Sequence, residues 1–170
     1  MSASVSSSTF RIFMQGFDAA PAPYADGAAA TRSIERVLTN GDGAGQIQTV
    51  SALDYTLSAS GTTNIDLKTG LDVYGVALGL DEVVAVYVEN AADGAGGVLE
   101  VRPGASNGFT NLLGASSAVK LPRGTAVALF LSDFDGVDKW LVTSSNKTLA
   151  IVETGGSAAA HVIVQLWGRR

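Results

Sequence analysis

The sequence contains no cysteine, which excludes disulfides and thiolate metal sites and leaves packing or association to stabilise the fold. It contains a single histidine, His161, too few for a histidine-based metal cluster within one chain. Charge is also sparse. Charged residues make up 16% of the chain against 46% hydrophobic ones, a balance that argues against disorder and for a globule with a bland surface, suited to packing against copies of itself or partners. With 11 Lys and Arg against 16 Asp and Glu, the net charge is −5, so no basic field exists to gather phosphates and nucleic acid is not an expected partner. No apolar run approaches the ~18 residues of a membrane-spanning helix, and no basic cluster offers an electrostatic route to anionic lipid, so no membrane partner is expected. The start, "MSASVSSSTFRIFMQGF", lacks the charged n-region and apolar core of a secretory signal. Aromatic residues are only 7%, too few for the stacking platforms of a sugar-cleaving cleft between paired carboxylates.

What is present divides by composition near "NGDGAG" at 40–45. Residues 1–45 are rich in Ser and Ala, with "AAPAP" at 19–23, and read as an extended N-terminal arm because proline opposes both helix and central strand. Inside the arm Phe10, Ile12, Phe13, Met14 and Phe17 are too apolar for a solvated tail. They either pack on the chain's own domain or anchor it to a neighbour, which makes Phe10, Phe13 and Phe17 candidate contact residues. In "TRSIERVLTNG" at 31–41, Ile34, Val37 and Leu38 stand at helical spacing with Gly41 as a stop, which predicts a two-turn helix.

From residue 46 onward the pattern changes to short runs of Val, Ile, Leu, Thr and aromatics, punctuated by Gly, Asn, Asp, Ser or Pro. Strands are predicted at 47–58, 62–67, 82–90, 97–102, 117–121, 125–132, 139–144, 147–153 and 160–167. The expected fold for 46–170 is therefore all-β, an antiparallel sandwich of jelly-roll type with eight to nine strands. In "TNIDLK" Ile65 and Leu67 alternate with Asn64 and Asp66, as in a strand with one wet face. In "EVVAVYVE", by contrast, Val84, Val86 and Val88 line one face and Val83, Ala85 and Tyr87 the other, and "TAVALFLS" at 125–132 repeats the pattern. Such strands need cover on both sides, by the arm, a loop or a second subunit. The favoured cover is a second subunit, with Val83, Ala85 and Tyr87 as its contacts.

The search for chemistry ends without a site. His161 has no nucleophile or acid that spacing places beside it, and in "AAAHVIVQLWG" it falls on the face opposite Val162, Val164 and Leu166, toward solvent or an interface. Asp133, Asp135 and Asp138 in "SDFDGVD" resemble a calcium loop, but the glycine follows the second Asp directly and an ordinary turn explains all three. Neither an enzyme nor a cofactor is expected.

The layout of residues 63–168 does carry a likeness. "TNIDLKTGLDVYGVALGLDEVVAVYVEN", "GGVLEVRPGASNGFTNLLG", "AVKLPRGTAVALFL", "KWLVTSSNKTLAIVE" and "VIVQLWG" follow in order, with Asp66 and Leu67 before a Gly-rich loop, Phe109 after Pro103 and Gly104, and a last strand closing on Gly168. The order resembles small jelly-roll virion proteins of tailed bacteriophages, of the kind that decorate or cement capsids. The resemblance implies a homotrimer that binds the major capsid protein on the capsid surface and is made in the host cytoplasm. A tail or fibre component, or a module that binds a host receptor or carbohydrate, is the alternative.

Overall fold

The computed structural model describes residues 7–17, 29–43, 46–91, 97–130 and 140–170. In chain order the elements are β1 (Ser7–Phe17), β2 (Ala29–Asn40), β3 (Gln46–Ile47), β4 (Thr49–Leu57), β5 (Thr62–Asp66), β6 (Glu82–Asn90), β7 (Val98–Pro103), α1 (Thr110–Leu113), β8 (Val119–Leu121), β9 (Ala126–Phe130), β10 (Trp140–Leu141), β11 (Thr148–Thr154) and β12 (Ala160–Arg169). From β4 onward the strands form two antiparallel sheets. One has the order β4-β12-β6, with β9 and β10 both paired to the far edge of β6; the other runs β5-β11-β7-β8. The chain crosses repeatedly from one sheet to the other, so each strand offers alternate residues to a shared interior. Each of the nine strands expected from residue 46 onward is present, and the fold is an all-β antiparallel sandwich.

The interior is one apolar cluster. Leu53 and Leu57 of β4, Val86 and Val88 of β6, and Val162, Val164 and Leu166 of β12 face Ile65, Leu99, Val101, Leu149 and Ile151 of the second sheet. Phe109, 1% exposed, fills it from the connection between β7 and α1. A buried side chain of this size contributes about 1.5–3 kcal/mol relative to exposure, so the cluster dominates the stability of the sandwich.

Three expectations are corrected. The two-turn helix at 31–41 is absent: residues 29–40 form β2, paired with β1 position by position from Ser7↔Thr39 to Phe17↔Ala29. Thr31, Ile34, Val37 and Thr39 are β-branched and suit a strand once a partner supplies the ladder. The simple alternation of β6 also fails. Trp167 pairs with Ala85 but Gly168 pairs with Val83, so Val84 is an extra residue at a β-bulge. The bulge sends Val83 into the main core and leaves Val84 and Ala85 together on the outside, so Val83 has no surface to offer a second subunit.

The cover over this outer face is the third. Leu38 from the end of β2 and Ile47 of β3 form a second buried cluster with Val84, Ala85 and Trp167, flanked by Tyr87 and Phe130. The chain's own hairpin base therefore covers the Trp167 end of the face, the role expected of a second subunit. Arg169 clamps the junction: its Nη1 donates to Glu82 Oε1 at 2.7 Å, Nε to the Gln46 carbonyl at 2.9 Å and Nη2 to the Gly43 carbonyl at 2.8 Å.

Candidate interaction surfaces

The segment between β5 and β6 is built from its carboxylates outward. Asp66 Oδ1 accepts the backbone N–H groups of Lys68 at 2.8 Å and Thr69 at 3.0 Å, and Oδ2 meets Lys147 Nζ at 2.7 Å. Burial pushes the Asp66 carboxyl up, but Lys147 and the two backbone donors outweigh it and hold it down at about 2. A depressed carboxyl stabilises the fold above its unfolded pKa of about 4, and that contribution is lost as pH falls through about 2. Asp66→Asn is expected to flatten the acid limb of stability between about pH 4 and pH 2. Urea midpoints of the two proteins at pH 5 and pH 2.5 check this; a difference between them that does not shrink on acidification counts against it.

Beyond Asp66 the chain makes a second, tighter turn. Asp72 Oδ1 accepts the N–H groups of Tyr74 and Val76, both at 2.9 Å, the Asp72 N–H donates to the Val76 carbonyl, and Gly75 supplies the positive φ of 74° that closes it. The turn is pinned from two sides, by Val73 N–H to the Ala52 carbonyl of β4 at 3.0 Å and by the Arg170 guanidinium to the carbonyls of Ala77 and Leu78. The result is a braced apolar knob. Tyr74 is 83% exposed, Leu71, Val73 and Val76 are at least half exposed, and Val50 of β4 is 40% exposed. No role attached to these residues in the sequence, because "GLDVYGVALG" reads there only as a Gly-rich loop.

The outer face of the β4-β12-β6-β9 sheet is a second surface. Away from the Trp167 end it carries Ala52, Asp54, Ile163, Gln165, Tyr87, Glu89, Ala126 and Ala128. Tyr87 Oη donates to Glu89 Oε2 at 2.7 Å, and burial together with Glu89 pushes the phenol up to about 12. His161 lies on this face as expected, with Nε2 at 2.8 Å from Asp54 Oδ1, both side chains being well exposed. Of the predicted contacts, Ala85 is covered by the hairpin base and Tyr87 is half-buried on this face. The pairing register sets Phe10 opposite Arg36, Phe13 opposite Ser33 and Phe17 opposite Ala29. The side chains of Phe10, Phe13 and Phe17, and so what they touch, lie outside what the structure describes. Asp133, Asp135 and Asp138 also lie outside the described residues. Among those described, no group of three His, Asp or Glu side chains stands close enough to hold a metal ion.

The opposite sheet carries a polar hollow of about 630 Å³ on its outer side, lined by Thr62, Asn64, Glu100, Arg102, Ser116 and Ala150 among others. Glu100 is flanked there by Lys120 at 3.3 Å and Arg102 at 4.0 Å. One end of the sandwich is tied by Glu153, a residue with no signal in the sequence beyond its place before a glycine pair. Its carboxylate is 1% exposed, accepting Ser60 N–H on Oε2 and the N–H groups of Gly97 at 2.9 Å and Gly156 at 2.8 Å on Oε1. Gly97 is required there: a Cβ would stand 2.3 Å from both Glu153 Oε1 and the Thr154 carbonyl. No protein-family model and no curated protein matches this chain.

Proposed function

We propose that this chain is a structural virion protein that decorates or cements the capsid of a tailed bacteriophage as a homo-oligomer, holding several major capsid protein subunits at once. The observation that carries the reading is the braced knob at Leu71–Val76, where Tyr74 and its apolar neighbours are held in water by hydrogen bonds on both sides. A rigid exposed apolar patch is the mark of a protein-binding surface, and its pre-ordering limits the entropy lost on docking. Multivalent attachment of an oligomer then strengthens a modest single contact and obliges shell rupture to break several at once. The strand order supports the jelly-roll form of the sandwich. Counting β9 and β10 as one interrupted strand, the first, eighth, third and sixth strands make one sheet and the second, seventh, fourth and fifth the other, an arrangement of two Greek keys found in viral capsid and lectin domains.

The test is binding to empty heads assembled from the major capsid protein encoded with this chain, measured by co-sedimentation. Wild type is expected to bind, and Tyr74→Ser with Val73→Ser to weaken binding at least ~30-fold, the effect of losing a hot spot of about 2 kcal/mol. Equal binding by the double variant removes the knob from the interface, and no binding by wild type removes the capsid.

One observation favours a second reading, a carbohydrate-binding module. The polar hollow over β5, β11 and β7 offers amide, hydroxyl, carboxylate and guanidinium groups to sugar hydroxyls. Retention on a glycan array that is lost with Arg102→Ala, together with no binding to heads, selects it.

A further inference from the structure

We propose that the β1–β2 hairpin of one copy docks on the acidic outer face of the β4-β12-β6-β9 sheet of a second copy. The inference deepens the homo-oligomer part of the reading above and is independent of the capsid.

The hairpin is too long for its own body. Leu38 is buried against Val84, Ala85 and Trp167, and from there β2 runs back to Ala29. β2 is parallel to β3, which leads into β4, and β4 runs parallel to β6, so this course points away from Asn90 and past Glu82, the near end of β6. At ~3.3 Å per residue the hairpin extends about 30 Å from Leu38, whereas only about 10 Å of β6 lies between Ala85 and Glu82. Most of the hairpin therefore reaches past the end of its own sheet. A two-stranded ribbon standing alone in water is marginal, so the overhanging part needs a surface to lie on.

Its composition names the surface. The two strands carry Phe10, Ile12, Phe13, Met14, Phe17 and Ile34 together with Arg11, Arg32 and Arg36. Arg11, Arg32 and Arg36 against Glu35 give the two strands a net charge of +2 within a chain of net −5. On the receiving face the ladders place Asp54 and Glu89 beside Ile163, Gln165, Tyr87 and Ala128, and no Lys or Arg occurs on that side of β4, β9, β6 from Ala85 to Glu89 or β12 from His161 to Trp167. An apolar, basic ribbon thus meets a half-buried acidic face, and both patches belong to the same chain. Each copy gives its hairpin to the next and receives one, a head-to-tail contact that closes into a ring.

The test is a charge swap read by light scattering at fixed concentration and low salt. Arg32→Glu with Arg36→Glu, and separately Asp54→Lys with Glu89→Lys, are each expected to weaken association at least tenfold, and the four changes together to restore it. Restoration shows that the reversed chains fold and that the two patches meet. The proposal is overturned if wild type is monomeric, if either reversal leaves the mass unchanged, or if the combined chain does not recover. Because no heads enter the experiment, failure here and failure of the capsid reading are told apart.

Discussion

Arg169→Ala is expected to destabilise the protein by about 3–5 kcal/mol, the cost of removing one partner from a buried ion pair. Glu82 and Arg169 are 7% and 11% exposed in their side chains, so water cannot readily replace the guanidinium. The same substitution frees the carbonyls of Gly43 and Gln46, which Arg169 ties to the end of β12. Loss of those bonds loosens the hairpin base as well, and Leu38 and Ile47 lose part of their hold over Trp167. At ~2–4 °C per kcal/mol for a chain of this size, the melting midpoint falls by roughly 6–20 °C. Arg169→Lys keeps the charge but not the planar fork and should recover only part of the loss. Urea unfolding followed by tryptophan emission measures both; a loss under about 1 kcal/mol for the alanine variant would refute the clamp.

Glu153→Ala is expected to cost about 3 kcal/mol, because three backbone donors lose a charged acceptor inside the fold. The donors come from Ser60, Gly97 and Gly156, so three separate connections share one carboxylate. Glu153→Gln should retain about half the stability: its carbonyl still accepts, but its amide N–H₂ confronts whichever N–H it meets. Amide exchange distinguishes this from simple loss of packing. In the alanine variant protection should drop together at all three donors, and a drop at Gly97 alone would mean that the clasp does not act as a unit.

Much of the sandwich is legible in the sequence because its strands alternate and its turns are marked. Ile65 and Leu67 against Asn64 and Asp66, or Val162, Val164 and Leu166 against His161, fix their faces without any knowledge of partners. What is not legible depends on pairing. The helical spacing of Ile34, Val37 and Leu38 is equally compatible with a strand, and only the ladder with β1 decides between them. The bulge at Val84 leaves no mark in "EVVAVYVE", since it arises from the offset between Trp167 and Gly168 on another strand. The knob at Tyr74 and the Glu153 clasp are invisible for a related reason. The clasp takes donors from Ser60 and Gly97 and the knob its braces from Ala52 and Arg170, all distant in sequence, and a sequence does not display which segments will meet.

The shared edge of β6 has a practical consequence. Phe130 ends β9 opposite Ala85, and Trp140 begins β10 opposite Val83, so both strands use the same edge of β6 two ladder positions apart. That gap is about 7 Å along β6, and it is fixed by the sheet and not by the number of residues joining its ends. The entropic cost of lengthening such a connection rises only logarithmically. A peptide grafted between Phe130 and Trp140 is therefore expected to leave both anchor positions on β6 in place.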